Sequence, residues 1–134
     1  MSNFVIENGV LKKYEGKEKE VVVPKGVIEI GKFAFLHCTS LTSIALPEGL
    51  ESIGNGAFGF CTNLTSITLP ASLTKINSGL TYNTDATIYY PAGTYVDNYL
   101  HSSANPHNRF PLINSFLYKL YCFFIFFKII IFSI

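Results

Sequence analysis

The chain has 134 residues, of which 14% are charged and 49% are hydrophobic, and its formal net charge is +1. This balance gives no electrostatic basis for binding nucleic acid or an acidic partner, and the length predicts one domain, or one domain with a tail. The three cysteines match neither a disulfide framework nor the spacing of a zinc site (Cys38, Cys61 and Cys122).

The first 20 residues are predicted to form a capping β-hairpin. Asn8–Gly9 lies between apolar residues in "FVIENGVLKKY", which is typical of a type I′ turn. The apolar side chains of this hairpin can cover the open end of a stack of repeats (Phe4, Ile6, Val10 and Tyr14). Because no basic stretch precedes an apolar run here, we expect no secretory signal. The protein would then stay in the cytoplasm, unless the sequence is not a complete exported precursor.

An internal repeat of 23 residues follows the hairpin, marked by Pro24, Pro47 and Pro70. Segments 24–46 and 47–69 share 13 of 23 letters at equal offsets. A third copy begins at Pro70 and then decays before "TIYYP". A period of this length lies in the range of leucine-rich repeats, whose units stack because one unit cannot enclose a core. The sequence therefore predicts a solenoid of about three coils over residues 21–104.

Each coil is predicted to contain two extended passes and one turn. In "LTSIALP", alternation directs Ile44 and Leu46 inward and Ala45 outward. "GLESI" forms a second pass, and Gly54 then permits a turn. "NGAFGFC" is predicted as a short helical turn that places small and apolar side chains against the stack (Ala57, Phe58 and Cys61).

The unit "LTSIALPEGLESIGNGAFGFCTN", residues 41–63, closely resembles the repeat of the BspA-like leucine-rich-repeat family. The opening segment and "ATIYYPAGTYVDNYL" resemble the ends of such arrays, so the resemblance covers about residues 4–100. It implies a leucine-rich-repeat solenoid, mainly β with short helical turns. It also implies a non-enzymatic protein that binds other proteins or host surfaces, as surface-exposed or secreted members of the family do. In the closing segment, Tyr95, Val96, Tyr99 and Leu100 fall at helix-face spacing and are predicted to cover the second end.

The outward positions of the first strand of each coil are the candidate binding surface, because the concave faces of solenoids commonly bind partners. They are polar or small and uncharged, and an ordinary solvated face is the alternative interpretation. Val22 begins this surface, and the candidate binding residues are Thr42, Ser43, Ala45, Thr65, Ser66, Thr68 and Tyr89.

No other pattern in the sequence predicts chemistry. Cys38 and Cys61 occupy equivalent positions in adjacent coils, which suits either a bridge or soft-metal pair or, as we favour, small core residues. The three histidines lack the spacing of a catalytic or metal site, and no catalytic sequence motif occurs (His37, His101 and His107). No enzymatic activity, cofactor or metal is therefore expected.

Residues 105–134 are predicted to be a linker followed by a hydrophobic tail, "SFLYKLYCFFIFFKIIIFSI". Three interpretations of the tail remain open: a membrane-spanning anchor, a buried or interfacial helix, and the product of a frameshift into AT-rich DNA. The length suits a bilayer, although Lys128 divides the apolar run. Two alternatives to a protein-interaction module follow, namely a truncated or frameshifted gene product and a membrane-anchored display module.

Overall fold

The computed structural model describes residues 2–81, 84 and 86–101, together with a strand at residues 112–113. Within them the chain forms a mainly β solenoid of about three turns, as the repeat predicts. The elements in chain order are β1 (Phe4–Glu7), β2 (Val10–Tyr14), β3 (Glu20–Val22), β4 (Glu29–Ile30), β5 (Ser43–Ala45), β6 (Ser52–Ile53), β7 (Ser66–Thr68), β8 (Lys75–Ile76), β9 (Thr87–Tyr89), α1 (Tyr95–His101) and β10 (Leu112–Ile113).

The ten strands in the described part of the chain form two sheets of five strands each. The front sheet has the order β10-β9-β7-β5-β3, and the back sheet has the order β1-β2-β4-β6-β8. All pairs are parallel except the β1–β2 hairpin. Each coil therefore contributes one strand to each sheet, which is the arrangement that the two predicted extended passes require.

The core consists of ladders of equivalent apolar side chains between the two sheets. The register of the front sheet aligns the buried residues Val21, Ile44, Ile67 and Ile88. The register of the back sheet aligns the buried residues Leu11, Ile30, Ile53 and Ile76. Because each ladder repeats one sequence position, the 23-residue period itself specifies the core.

The third side of each coil is a run of tight turns at the segment predicted as a short helical turn. Hydrogen bonds there span three residues, as from the Leu36 amide to the Phe33 carbonyl at 3.0 Å. Intervening amides donate to the next coil, as from Phe35 to the Ala57 carbonyl at 2.8 Å. Phe60 has a left-handed φ of 57°. Half of the amides thus bond within the turn and half bond to the next coil. A regular α-helix could not connect the coils in this way, because its interior amides all bond within the helix.

Gly54 acts differently from the prediction that it permits a turn. Its φ is not in the left-handed region, whereas Gly49 has a φ of +96°. A Cβ at Gly54 would lie 2.6 Å from the Lys32 amide nitrogen and 2.9 Å from the Gly31 carbonyl carbon. The glycine is needed because the backbones of adjacent coils approach closely at this corner, while Gly49 supplies the unusual backbone conformation.

Both ends of the solenoid are covered. The hairpin turns through Asn8 and Gly9, both with positive φ, and β2 pairs with β4 to continue the back sheet. At the other end, Val96 and Leu100 of α1 are fully buried. β10 lies within the segment predicted as a linker and adds a strand to the front sheet beside β9.

The predicted boundaries at residues 20 and 104 remain predictions. The alternatives for the tail at residues 115–134 concern residues that are outside the described part of the chain. Among the described residues, no helix combines the length and apolar character needed to cross a membrane.

Candidate functional site

The front sheet brings most of the predicted binding residues together in rows. Parallel register places Ser43 opposite Ser66, and it aligns Val22, Ala45, Thr68 and Tyr89 across four strands. Thr42 and Thr65 immediately precede β5 and β7 at equivalent positions. We refer to the outward side of β3, β5, β7 and β9, with these two threonines, as the front face.

The front face is unevenly exposed. Val22 is 48% exposed and Thr65 is also exposed, whereas Thr42, Ser43, Ala45 and Tyr89 are half-buried. Ser66 and Thr68 on β7 are only 9% and 4% exposed. β7 is the central strand of the sheet, and the large side chain of Tyr89 is the register neighbour of Thr68. The accessible part of the face therefore lies toward β3 and β5.

The hydroxyls of Thr42 and Thr65 on the front face already hold adjacent coils together. Thr42 Oγ1 donates to the Lys19 carbonyl at 2.9 Å, and Thr65 Oγ1 donates to the Thr42 carbonyl at 3.0 Å. The two hydroxyl protons are thus committed to the preceding coil. What these residues offer a partner is methyl groups and hydroxyl lone pairs.

Thr68 differs from these threonines because its hydroxyl has no hydrogen bond. Within the described part of the chain, its Oγ1 is the one buried side-chain polar atom that lacks a partner. Leaving a buried hydroxyl unpaired costs about 1–3 kcal/mol relative to a satisfied one.

The two cysteines of the described residues are free thiols in adjacent coils. Cys61 is fully buried, and its Sγ donates to the Phe35 carbonyl at 3.0 Å, which confirms the predicted core position. Cys38 is only half-buried and lies near Cys61 of the next coil. The neighbouring Cys61 thiol lowers the pKa of the Cys38 thiol, and the same interaction, followed by burial, raises the pKa of Cys61.

Cys38 also borders a cavity of about 390 Å³ that the sequence did not predict. The cavity lies between the end of the hairpin and the first run of turns, and its lining includes Tyr14, Glu18, His37 and Cys38. His37 is exposed, and its ring stacks on Phe60 with centroids 4.8 Å apart. Because the cavity joins residues from the cap and from a coil, no local sequence pattern signals it.

The polar pair of this cavity is Tyr14 and Glu18. The Tyr14 hydroxyl donates to Glu18 Oε2, and Asn3 Nδ2 donates to Glu18 Oε1 at 2.6 Å. The bond from Tyr14 is the main cause that lowers the pKa of the Glu18 carboxyl. Burial, followed by that bond, raises the pKa of Tyr14. The pair fixes the chain between β2 and β3, where the hairpin joins the first coil.

Over residues 2–81, 84 and 86–101, the structure has no group of three or more His, Cys, Asp or Glu side chains that could hold a metal ion.

Comparisons with known proteins agree with this architecture. The family model described as a BspA type leucine rich repeat region matches residues 6–104, in six copies. The crystal structure of a leucine rich repeat protein from T. pallidum is similar, with 26% sequence identity and a TM-score of 0.53. That match covers 79% of this chain and 56% of the T. pallidum chain, so this chain spans little more than half of that protein's length. A comparison with curated proteins gave no significant match.

Proposed function

The chain belongs to the BspA-type leucine-rich repeat family, and from this premise we propose that it is a non-enzymatic protein-interaction module. It binds a partner protein, free or carried on a cell surface, through the front face. Extended solenoid faces are general binding surfaces because stacked repeats present the same side-chain position again and again.

One observation carries this proposal: the register of the front sheet aligns mostly small and uncharged side chains into continuous rows. The row Val22–Ala45–Thr68–Tyr89 contains no charged residue, and the parallel row contains one, Glu20, at the edge strand β3. A smooth uncharged surface can be desolvated at low cost, since no ion has to leave water.

The exposure pattern supports a contact centred on β3 and β5. Val22 supplies an exposed apolar side chain, Ala45 leaves space for a partner to approach, and Thr65 contributes its methyl group. Ser66 and Thr68 form the base of the surface, because both are buried. The complementary partner surface is apolar or aromatic, with hydrogen-bond donors for the hydroxyl and carbonyl oxygens.

Photo-crosslinking tests the proposal. A benzophenone amino acid is placed at Ala45, and in a matched variant at Ser52, which is also half-buried on a strand but belongs to the back sheet. Each protein is exposed to the protein extract of the source organism and irradiated. We expect a discrete adduct from position 45 and none from position 52.

Two further measurements show whether such an adduct reflects binding to this face. Val22→Arg should abolish the adduct while leaving the thermal unfolding midpoint unchanged, because the side chain is exposed. The adduct should also persist between about 0.05 and 0.5 M salt, because screening weakens charged interactions but not apolar ones. Equal adducts from both positions, or an adduct unaffected by Val22→Arg, would overturn the assignment to the front face.

A further inference from the structure

Equivalent backbone positions in adjacent coils lie close together around Cys38 and Cys61. Just before the cysteines, the His37 amide donates to the Gly59 carbonyl at 3.0 Å. The rings of His37 and Phe60 stack with centroids 4.8 Å apart, and those of Phe35 and Phe58 with centroids 5.2 Å apart. The Cα atoms of disulfide-bonded cysteines are usually about 4.4–6.8 Å apart, so the coil spacing on this side falls within disulfide range.

The two thiols occupy the same place in their turns but different environments. The Cys38 amide donates to the Phe35 carbonyl and the Cys61 amide donates to the Phe58 carbonyl, so both residues close equivalent turns. Cys61 is fully buried against the Phe35 carbonyl, whereas Cys38 is half-buried and borders the cavity. The third coil has Thr84 at this position, so the cysteine pair is confined to the first two coils.

We propose that Cys38 and Cys61 form a reversible disulfide between adjacent coils when a hydroperoxide enters the cavity beside Cys38. Cys38 is the attacking thiol because it borders the cavity, and Cys61 is the resolving thiol because it is buried beside Cys38. The lowered pKa of Cys38 and the raised pKa of Cys61 agree with these roles, since the thiolate is the nucleophile.

The reaction balances with hydrogen peroxide as the oxidant. The Cys38 thiolate attacks one peroxide oxygen, the O–O bond breaks, and the departing hydroxide takes up the proton that Cys38 released, which gives water and a sulfenic acid. The Cys61 sulfur then attacks the Cys38 sulfur, and the S–O bond breaks. The hydroxyl group leaves as a second water with the Cys61 proton. The two thiols lose two electrons in total, and the peroxide gains them.

The crosslink is expected to be easily reduced. Parallel stacking keeps equivalent Cβ atoms about one coil spacing apart, which exceeds the mean Cβ separation of about 3.8 Å in disulfides. Forming the bond therefore draws the two coils together and breaks the contact of Cys61 with the Phe35 carbonyl. Strained disulfides of this kind are the labile ones.

The test uses the full chain with Cys122→Ser, so that Cys38 and Cys61 are the remaining thiols. After hydrogen peroxide treatment, we expect a mass loss of two hydrogen atoms and the loss of both alkylatable thiols in the unfolded protein. Dithiothreitol should restore both thiols. Before oxidation, native Cys38 should react with iodoacetamide at least ~10-fold faster than Cys61, since burial hinders access.

Two single variants in the same background separate the proposed roles. Cys61→Ser should leave Cys38 as a sulfenic acid that dimedone captures, and Cys38→Ser should leave Cys61 unmodified. If the Cys122→Ser protein does not fold, proteolytic mapping of the oxidised wild-type chain locates the linkage directly. Sulfinic acid at Cys38 without a crosslink, linkage between two chains, or a bond to Cys122 would overturn the proposal.

Discussion

The rings of Phe35 and Phe58 stack with their centroids 5.2 Å apart, one coil above the other. Tyr14 of the hairpin stacks on Phe35 at the same centroid distance, 5.2 Å, and Phe4 lies 5.2 Å from Tyr14. The cap and the first two coils therefore share one continuous aromatic column. Because each coil of a solenoid contacts only its neighbours, such columns connect the stability of each coil to that of the next.

Phe58→Ala removes the last ring of this column, counted from the cap, and the Phe58 side chain is fully buried. We expect the free energy of unfolding to fall by about 3–5 kcal/mol, the usual cost of truncating a core Phe. Urea denaturation measures the change. Phe33→Ala is the control, because Phe33 is 46% exposed. Equal losses from the two variants would contradict the assignment of Phe58 to the core.

Thr68→Val replaces an unpaired buried hydroxyl with a methyl group of similar size. We expect the free energy of unfolding to rise by about 1 kcal/mol, because the substitution removes the cost of an unsatisfied polar atom. Thr84 is a matched control: it is 7% exposed, and its Oγ1 donates to the Leu64 carbonyl at 3.1 Å. Thr84→Val should lower the free energy of unfolding by about 1 kcal/mol. Shifts of the same sign in thermal or urea unfolding would refute this distinction.

Gly49→Ala and Gly54→Ala test two different reasons for a glycine. A Cβ at Gly49 would meet open space, so Gly49→Ala should lower the free energy of unfolding only by the cost of the left-handed backbone, about 1–2 kcal/mol. A Cβ at Gly54 meets the backbone of the preceding coil, which cannot move aside, so we expect about 3 kcal/mol, toward the upper end of overpacking costs. Comparing the two by chemical denaturation gives the order of costs, and a larger loss at Gly49 would exclude the close-approach explanation for Gly54.

Tyr14→Phe removes the hydroxyl that donates to Glu18, so the pKa of the Glu18 carboxyl should rise toward its ordinary value. Carbon-detected NMR titration of the carboxyl measures the shift. Asn3→Ala should raise this pKa less, because the bond from Asn3 is a smaller cause of its depression. A greater effect of Asn3→Ala would show that the Tyr14 bond does not dominate.

The Tyr14–Glu18 pair also makes the stability of the fold depend on pH. The pKa of Glu18 is lower in the folded protein than in the unfolded chain. Its contribution to the free energy of unfolding is therefore present above the unfolded pKa and is lost as the pH falls through the folded pKa. Glu18→Gln should therefore be less stable than the wild type at neutral pH, and the difference should disappear in acid.

Local sequence predicted the coil interior well because inward positions depend on the period alone. Ile44, Leu46 and Phe58 are buried as the repeat predicts. The exposure of the outward positions was harder to predict. Ser66 precedes an inward isoleucine and Ala45 follows one, yet Ser66 is buried and Ala45 is half-buried. Exposure on the front face depends on the neighbouring strands, whose side chains vary from coil to coil.

The sequence by itself determined the family, the 23-residue coil, the capping hairpin with its Asn8–Gly9 turn and the terminal helix. It could do so because a solenoid buries each repeat against its nearest neighbours, so a regular period already encodes the core. Tertiary structure alone decided which front-face residues are buried, why Gly54 must be glycine, and that Cys38 borders a cavity with Tyr14 and Glu18. Each of these depends on the distance between atoms of different coils, or of a coil and the cap, which no single repeat specifies.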